Sequence, residues 1–131
     1  MSEQAEVRRV PATMVALFAG YTVLSVTGLL LMRRWLPIAR IAIADGEYVS
    51  RTTVMAALGA AAYIGSFLTW MVIVAQLPVA RAYPISVGLT LTCTALGAWL
   101  LLGEALSMRQ VAGTIVIFVG VLLVSLPPRY Y

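Results

Sequence analysis

The sequence has few charged residues and almost none of the side chains that most enzyme sites use. Histidine is absent, there is one cysteine, and five acidic residues occur among 131. The lone Cys93 excludes an intrachain disulfide and leaves the redox compartment undetermined. No metal-ligand cluster, glycine-rich phosphate loop or nucleophile-base pair is present. We therefore expect no catalytic residue, no metal and no cofactor, and we do not expect an enzyme.

Long apolar stretches take the place of charge. The chain is 62% hydrophobic and 11% charged, with a mean hydropathy of +0.97. Charge-free windows cover residues 10–32, 52–80, 82–103 and 110–128, and a helix needs about 20 apolar residues to cross a bilayer. The runs lack the alternation of barrel strands, which favours helices. The prediction is an all-α membrane protein, a single domain with transmembrane helices over residues 11–32, 53–76, 82–103 and 110–127.

Residues 33–52 form the only sizeable connection in this prediction. Arginines alternate there with Trp35, Ile38 and Ile41, which is typical of a short amphipathic segment in the headgroup layer. Asp45 and Gly46 are expected to end it.

The nine arginines are scattered over turns and tails and form no stripe, so we expect no nucleic-acid partner. With four spans, one side of the membrane receives Arg8, Arg9, Arg81 and Arg129, and the other receives Arg33, Arg34, Arg40, Arg51 and Arg109. Because positive residues favour the cytoplasmic side, a four-to-five division barely sets an orientation. Three interpretations stay open: insertion in both orientations, as an antiparallel dimer requires, an orientation set by a partner, or one orientation fixed by Arg33, Arg34 and Arg51 through their distance from the membrane.

Polar and small residues recur every three to four positions in the second and third spans, which puts each set on one helix face. The second span carries Gly59, Tyr63, Ser66 and Trp70, and the third carries Tyr83, Ser86, Thr90, Cys93 or Thr94, and Gly97. These faces could line a shared cavity, or they could simply allow close helix packing.

The fourth span carries Gly113, Ile117 and Gly120 on one face, which favours close approach of another helix and predicts an assembly surface. Phe118 is expected to face lipid. Glu104 is expected to close the turn before this span by pairing with Arg109.

Two segments carry a family resemblance: "YIGSFLTWMVIVAQLPVARAYPISVG", from Tyr63, and "LGEALSMRQVAGTIVIFVGVLLVSL". They resemble the small multidrug resistance family of the drug/metabolite transporter superfamily, most strongly over residues 63–126. The resemblance implies a four-helix dimer in the bacterial inner membrane. It also implies a substrate chamber lined by Tyr63 and Tyr83, and a dimer contact through Gly113 and Gly120.

Two departures from the family pattern bear on the substrate. Ser25 stands where drug exporters carry the glutamate that binds cations and protons, and Ser86 replaces a tryptophan. Without a carboxylate, the chamber has little to offset the several kcal/mol needed to desolvate a cation. The export of hydrophobic cations or small metabolites is therefore the alternative and not the first expectation.

Arg81 lies two residues before Tyr83 and has two interpretations. An arginine at a span end can anchor the helix among headgroups, or its guanidinium can bind a phosphate.

The "AYP" that follows is similar to small flippase subunits for lipid-linked sugars, such as those for aminoarabinose-phosphoundecaprenol. The resemblance implies a transporter subunit that moves an amphiphilic, phosphate-bearing lipid. The transporter would be a homodimer or a heterodimer with a similar chain. Its substrate-binding residues would be Ser25, Tyr63, Trp70, Arg81, Tyr83 and Ser86. A non-transporting membrane scaffold or regulatory partner is the other alternative.

Overall fold

The computed structural model describes residues 12–126, which form four α-helices and, over that range, no β-strand. The helices are α1 (Ala12–Ala44), α2 (Arg51–Gln76), α3 (Val79–Leu102) and α4 (Met108–Ser125). All four are long and apolar enough to cross a membrane. The expected class, an all-α membrane protein with four spans, is confirmed. The predicted ends at residues 11 and 127, and Arg8, Arg9 and Arg129 of the charge count, lie outside the described residues.

The first helix is longer than its predicted span. It continues 12 residues past residue 32, so the segment expected as a separate connection over 33–52 is largely a continuation of α1. Arginine, alanine and leucine all favour helix, and charge alone does not end one. The helix ends where Gly46 adopts φ +89° and the N–H of Glu47 donates to the carbonyl of Ala42. Asp45 and Gly46 thus follow the end of this segment, as predicted, but the segment is the last part of a long helix and not a separate element.

The other three helices begin two or three residues before their predicted spans, and side chains cap the first turns of α2 and α4. At α2 the Ser50 hydroxyl accepts a hydrogen bond from the N–H of Thr53 at 3.2 Å. At α4 the N–H of Gln110 donates to the Ser107 hydroxyl, and the N–H of Ser107 donates to the Gln110 side chain at 2.8 Å. Such reciprocal bonds satisfy backbone donors that a helix start leaves free.

The helices differ in how much they pack on one another. The most extensive contact joins α1 to α2, while α3 packs against α1 and against α4, and α4 touches only α3 among the described helices. Glycines lie at these crossings. A Cβ atom on Gly97 would lie 2.6 Å from Leu30, and one on Gly88 would overlap Val121. Helix α4 is therefore the least enclosed element, and most of its surface is available to lipid or to another chain.

Candidate functional site

A small pocket lies between α1 and α2 and has a volume of about 80 Å³. Its walls combine aromatic rings with hydroxyl groups, and none of the carboxylates in residues 12–126 takes part. The lining residues are Tyr21 and Ser25 from α1 and Tyr63, Ser66, Phe67 and Trp70 from α2. Within each helix, and apart from the adjacent Ser66 and Phe67, these positions are three or four residues apart, which brings them to one face. We call this space the aromatic pocket.

Two glycines bring the walls of the aromatic pocket together. A Cβ atom on Gly28 would lie 2.7 Å from the carbonyl oxygen of Gly59 and 2.8 Å from the backbone nitrogen of Tyr63. Both glycines are buried, so α1 and α2 touch through backbone, three residues after Ser25 and four before Tyr63. Gly59 and Gly97, which the sequence grouped with the polar faces, thus serve close packing. Gly59 sets the helix spacing and Gly97 admits Leu30.

A row of three aromatic rings connects the aromatic pocket to α3. The rings of Tyr21 and Trp70 are 5.7 Å apart at a 39° tilt, and those of Trp70 and Tyr83 are 6.1 Å apart at 63°. Both separations fall within the range of favourable aromatic pairs. Trp70 is therefore in contact with both neighbouring helices, and its indole joins Tyr83 to the pocket. Among the predicted site residues, Ser25, Tyr63, Trp70 and Tyr83 are brought together.

Tyr21 and Phe67 line the aromatic pocket but were not among the residues predicted from the sequence. Tyr21 precedes Ser25 by four residues, so helical spacing from Ser25 was the signal that could have identified it. Phe67 lies directly after Ser66, within the quoted "SF" motif. It is 59% exposed and lines only the edge of the pocket.

The hydroxyl groups have different surroundings. Ser66 is buried, and its hydroxyl donates to the carbonyl oxygen of Tyr63 at 2.6 Å, so it can offer a ligand only an acceptor. Ser86 is 1% exposed and its hydroxyl has no hydrogen-bond partner within residues 12–126. Ser86 does not line the aromatic pocket. Because Ser86 does not line the same pocket as Ser25, Tyr63 and Trp70, its predicted role in substrate binding is not supported.

Arg81 also lies outside the aromatic pocket. It is exposed in the first turn of α3, and it makes no ion pair within the described part of the chain. The next residue, Ala82, is fully buried, while Tyr83 is 58% exposed. Because consecutive helical residues point about 100° apart, the arginine and the tyrosine leave α3 on opposite sides of Ala82. The guanidinium is thus at the rim of the bundle.

The acidic residues of the described chain are remote from the aromatic pocket in sequence and in structure. Asp45 and Glu47 lie in the turn between α1 and α2, and Glu104 follows α3. Glu104 Oε1 lies 3.2 Å from Nε of Arg33, and not near Arg109 as expected. The reason for this correction is the packing of α1 on α3, which places Arg33 alongside the turn that follows α3. Over residues 12–126 no group of three potential metal-binding side chains occurs.

No protein-family model, curated protein or solved structure matches this chain. The similarity to small multidrug resistance proteins therefore rests on the motifs alone.

The expected assembly residues lie on the open side of α4. Added Cβ atoms on Gly113 and Gly120 would meet nothing within 4 Å, and Ile117 between them is 40% exposed. Phe118, expected to face lipid, is 42% exposed and lines a groove of about 330 Å³ between α3 and α4. Among the described residues, no atom occupies the space where side chains at Gly113 and Gly120 would begin, so this face is open to another helix.

Proposed function

We propose that this chain is a subunit of a small membrane transporter that moves an amphiphilic, phosphate-bearing lipid, such as a polyprenyl-phosphate-linked sugar, across the bacterial inner membrane. The observation that carries the proposal is an aromatic and hydroxyl-lined pocket, without a carboxylate from the described part of the chain, between two apolar helices of membrane-spanning length. Such walls suit a sugar ring, because aromatic faces stack on its C–H groups and hydroxyl groups accept or donate hydrogen bonds.

The size of the aromatic pocket supports a dimer. Ligand sites typically occupy about 300–1,000 Å³, whereas one chain provides about 80 Å³. A second subunit facing Tyr63 and Tyr83, which are 46% and 58% exposed, would enlarge the pocket and cover both rings. That subunit is a second copy, antiparallel or not, or a similar small chain. Rocking of one subunit against the other around this site would provide alternating access.

Arg81 supplies the proposed contact to phosphate. It lies in the first turn of α3 without a carboxylate partner among the described residues. A guanidinium can form two parallel hydrogen bonds to a phosphate. Since Arg81 and the aromatic pocket are on different sides of Ala82, the phosphate would stay at the bundle rim while the sugar enters, with the polyprenyl chain in lipid.

The test is translocation of a fluorescent undecaprenyl-phosphate sugar in vesicles that contain only this chain. We expect transport by the wild type and a loss of at least tenfold in Arg81→Gln and in Trp70→Leu. Arg109→Gln, an exposed arginine at the start of α4, is the matched control. Absence of wild-type transport, with the chain folded and inserted, would favour a non-transporting scaffold or an obligate heterodimer. Transport that appears when a similar small subunit is added to the vesicles would identify the heterodimer.

The aromatic pocket also favours a second candidate, the export of hydrophobic cations. Tyr21, Tyr63 and Trp70 surround one space, and aromatic faces attract a desolvated cation with about 2 kcal/mol. Growth protection against quaternary ammonium compounds, lost in Trp70→Leu, would support it. In this candidate no proton is exchanged, because the pocket has no carboxylate to release one. Proton release from wild-type protein on binding tetraphenylphosphonium would contradict both candidates as described.

A further inference from the structure

A second, separate groove lies between α1 and the last turn of α3. It has a volume of about 190 Å³, and its walls are apolar apart from one threonine and one arginine. The lining residues are Thr27, Leu30, Leu31 and Arg34 from α1 and Leu101 and Leu102 from α3. We call it the α1/α3 groove. It shares no residue with the aromatic pocket, so a ligand in this groove is independent of the proposed transport function.

The α1/α3 groove is apolar along its length and charged at one end. Thr27, Leu30 and Arg34 are spaced three and four residues apart, which places them along one face of α1. Leu30 also packs against Gly97, because a side chain at position 97 would leave no room for the leucine. The charge-free stretch of α1 ends at Arg33 and Arg34, so this end of the groove is where the helix leaves the hydrocarbon core.

The two adjacent arginines have different partners. Arg33 is paired with Glu104, with 3.2 Å between Nε and Oε1. Arg34 makes no ion pair in the described part of the chain, and its guanidinium carbon lies 5.7 Å from the ring centre of Trp35. Tryptophan is enriched at headgroup level. Arg34 is thus a cation with no protein counter-charge among the described residues, at headgroup level, at the end of an apolar groove.

We propose that the α1/α3 groove binds an anionic phospholipid, with part of an acyl chain against the four leucines and the headgroup phosphate on Arg34. An acyl chain loses conformational freedom on an apolar wall and gains little hydrophobic free energy, because the bilayer it leaves is equally apolar. Retention of the lipid therefore depends on its headgroup, which the guanidinium contacts through charge-assisted hydrogen bonds. The pairing of Arg33 with Glu104 leaves Arg34 as the groove's phosphate ligand. The ligand class follows from this combination of an apolar wall with an uncompensated cation.

Native mass spectrometry of the full-length chain, released from detergent with added lipid, tests the proposal. We expect phosphatidylglycerol to be retained more than phosphatidylcholine, and diacylglycerol, which lacks phosphate, to be lost. Arg34→Gln should reduce retained phosphatidylglycerol about fivefold, since a basic residue near an anionic surface contributes about 1 kcal/mol. Arg40→Gln is the matched control, because Arg40 is exposed on the same helix but does not line the groove.

A second pair of variants tests the apolar wall. Leu101→Trp should fill the α1/α3 groove and displace the lipid, whereas Leu100→Trp, at a neighbouring exposed position outside the groove, should not. Equal loss in Arg34→Gln and Arg40→Gln would overturn the proposal, because it would show only non-specific attraction. Equal retention in Leu101→Trp and Leu100→Trp would also overturn it. Displacement of the lipid by millimolar inorganic phosphate would identify a free-anion site instead.

Discussion

Ser25 is the residue whose chemistry bears most directly on which ligand the aromatic pocket could bind. It is 9% exposed and lines the aromatic pocket beside Tyr21 and Trp70. The family resemblance implies a glutamate at this place in drug exporters. A hydroxyl contributes hydrogen bonds but no charge near neutral pH, so a cation in this pocket would have only the aromatic faces as partners.

Ser25→Glu is therefore expected to raise affinity for tetraphenylphosphonium at least tenfold over wild type. Opposite charges about 4 Å apart attract with about 4 kcal/mol at an effective dielectric constant near 20, and desolvation removes part of this. Isothermal titration calorimetry in detergent would measure the change. Ser25→Gln, which is similar in size and neutral, should not show the gain; if it does, pocket shape and not charge controls cation binding.

Gly28 is expected to be intolerant of any side chain. In Gly28→Ala the new Cβ would meet backbone atoms of Gly59 and Tyr63 within 2.8 Å, and backbone cannot move aside as a flexible side chain can. Overpacking of this kind typically destabilises by about 1–3 kcal/mol. Thermal unfolding in detergent should show it, while Gly20→Ala, where nothing lies within 4 Å, should be neutral or stabilising. Equal melting temperatures for the two variants would contradict this packing.

At the scale of elements, α4 is the helix held least by its neighbours. It packs on α3 alone among the described helices, and only Val121 among its residues is buried. Its first turn therefore relies on local bonds, which the capping pair of Ser107 and Gln110 provides. The α1–α2 pair is the opposite case, because a long interface and a backbone contact at Gly28 hold it together.

Ser107→Ala should therefore loosen the start of α4. Loss of an N-terminal cap costs about 1 kcal/mol of helix stability. Hydrogen–deuterium exchange should become faster at the amides of residues 108–111. Amides of α2 should be unchanged and serve as the internal control, and Ser107→Asp should restore protection because aspartate also caps. Unchanged exchange in Ser107→Ala would show that contact with α3 alone fixes this turn.

At the scale of the whole molecule, the exposed surfaces point to assembly. Tyr63 and Tyr83 are about half exposed at the aromatic pocket, and α4 presents Gly113 and Gly120, where an added Cβ would meet no described atom within 4 Å. Neither feature is needed to hold one chain together. Both are available to a second subunit, and close helix approach through small residues is a common way for membrane helices to associate.

Gly113→Leu and Gly120→Leu should disrupt the proposed dimer without unfolding the chain. The added side chains meet nothing within the described chain but would block close approach of another helix. Crosslinking or energy transfer between labelled chains in liposomes should fall at least fivefold, with helical content by circular dichroism unchanged. Val119→Leu, at an exposed α4 position away from the Gly113–Gly120 face, should associate as wild type does. Undiminished association in both glycine variants would place the interface elsewhere.

The amino-acid sequence by itself determined the class of the protein and the number of its helices. Charge-free runs of about 20 residues can satisfy their backbone hydrogen bonds in lipid only as helices, so four spans followed from local composition. Helical spacing likewise selected Tyr63, Ser66 and Trp70 as one face. The end of α1 was harder to predict, because Arg33 and Arg34 mark a change of environment and not the end of a helix.

Only the tertiary structure decided which faces meet. The contact of Gly28 with Gly59 brought Tyr21 into the aromatic pocket, and Ser86 and Arg81 lie outside it. The packing of α1 on α3 placed Arg33 beside Glu104. Apolar composition is nearly uniform around each helix, so hydropathy contains no information on rotation about the helix axis. That rotation is set by where small residues allow backbones to touch, which depends on two helices at once.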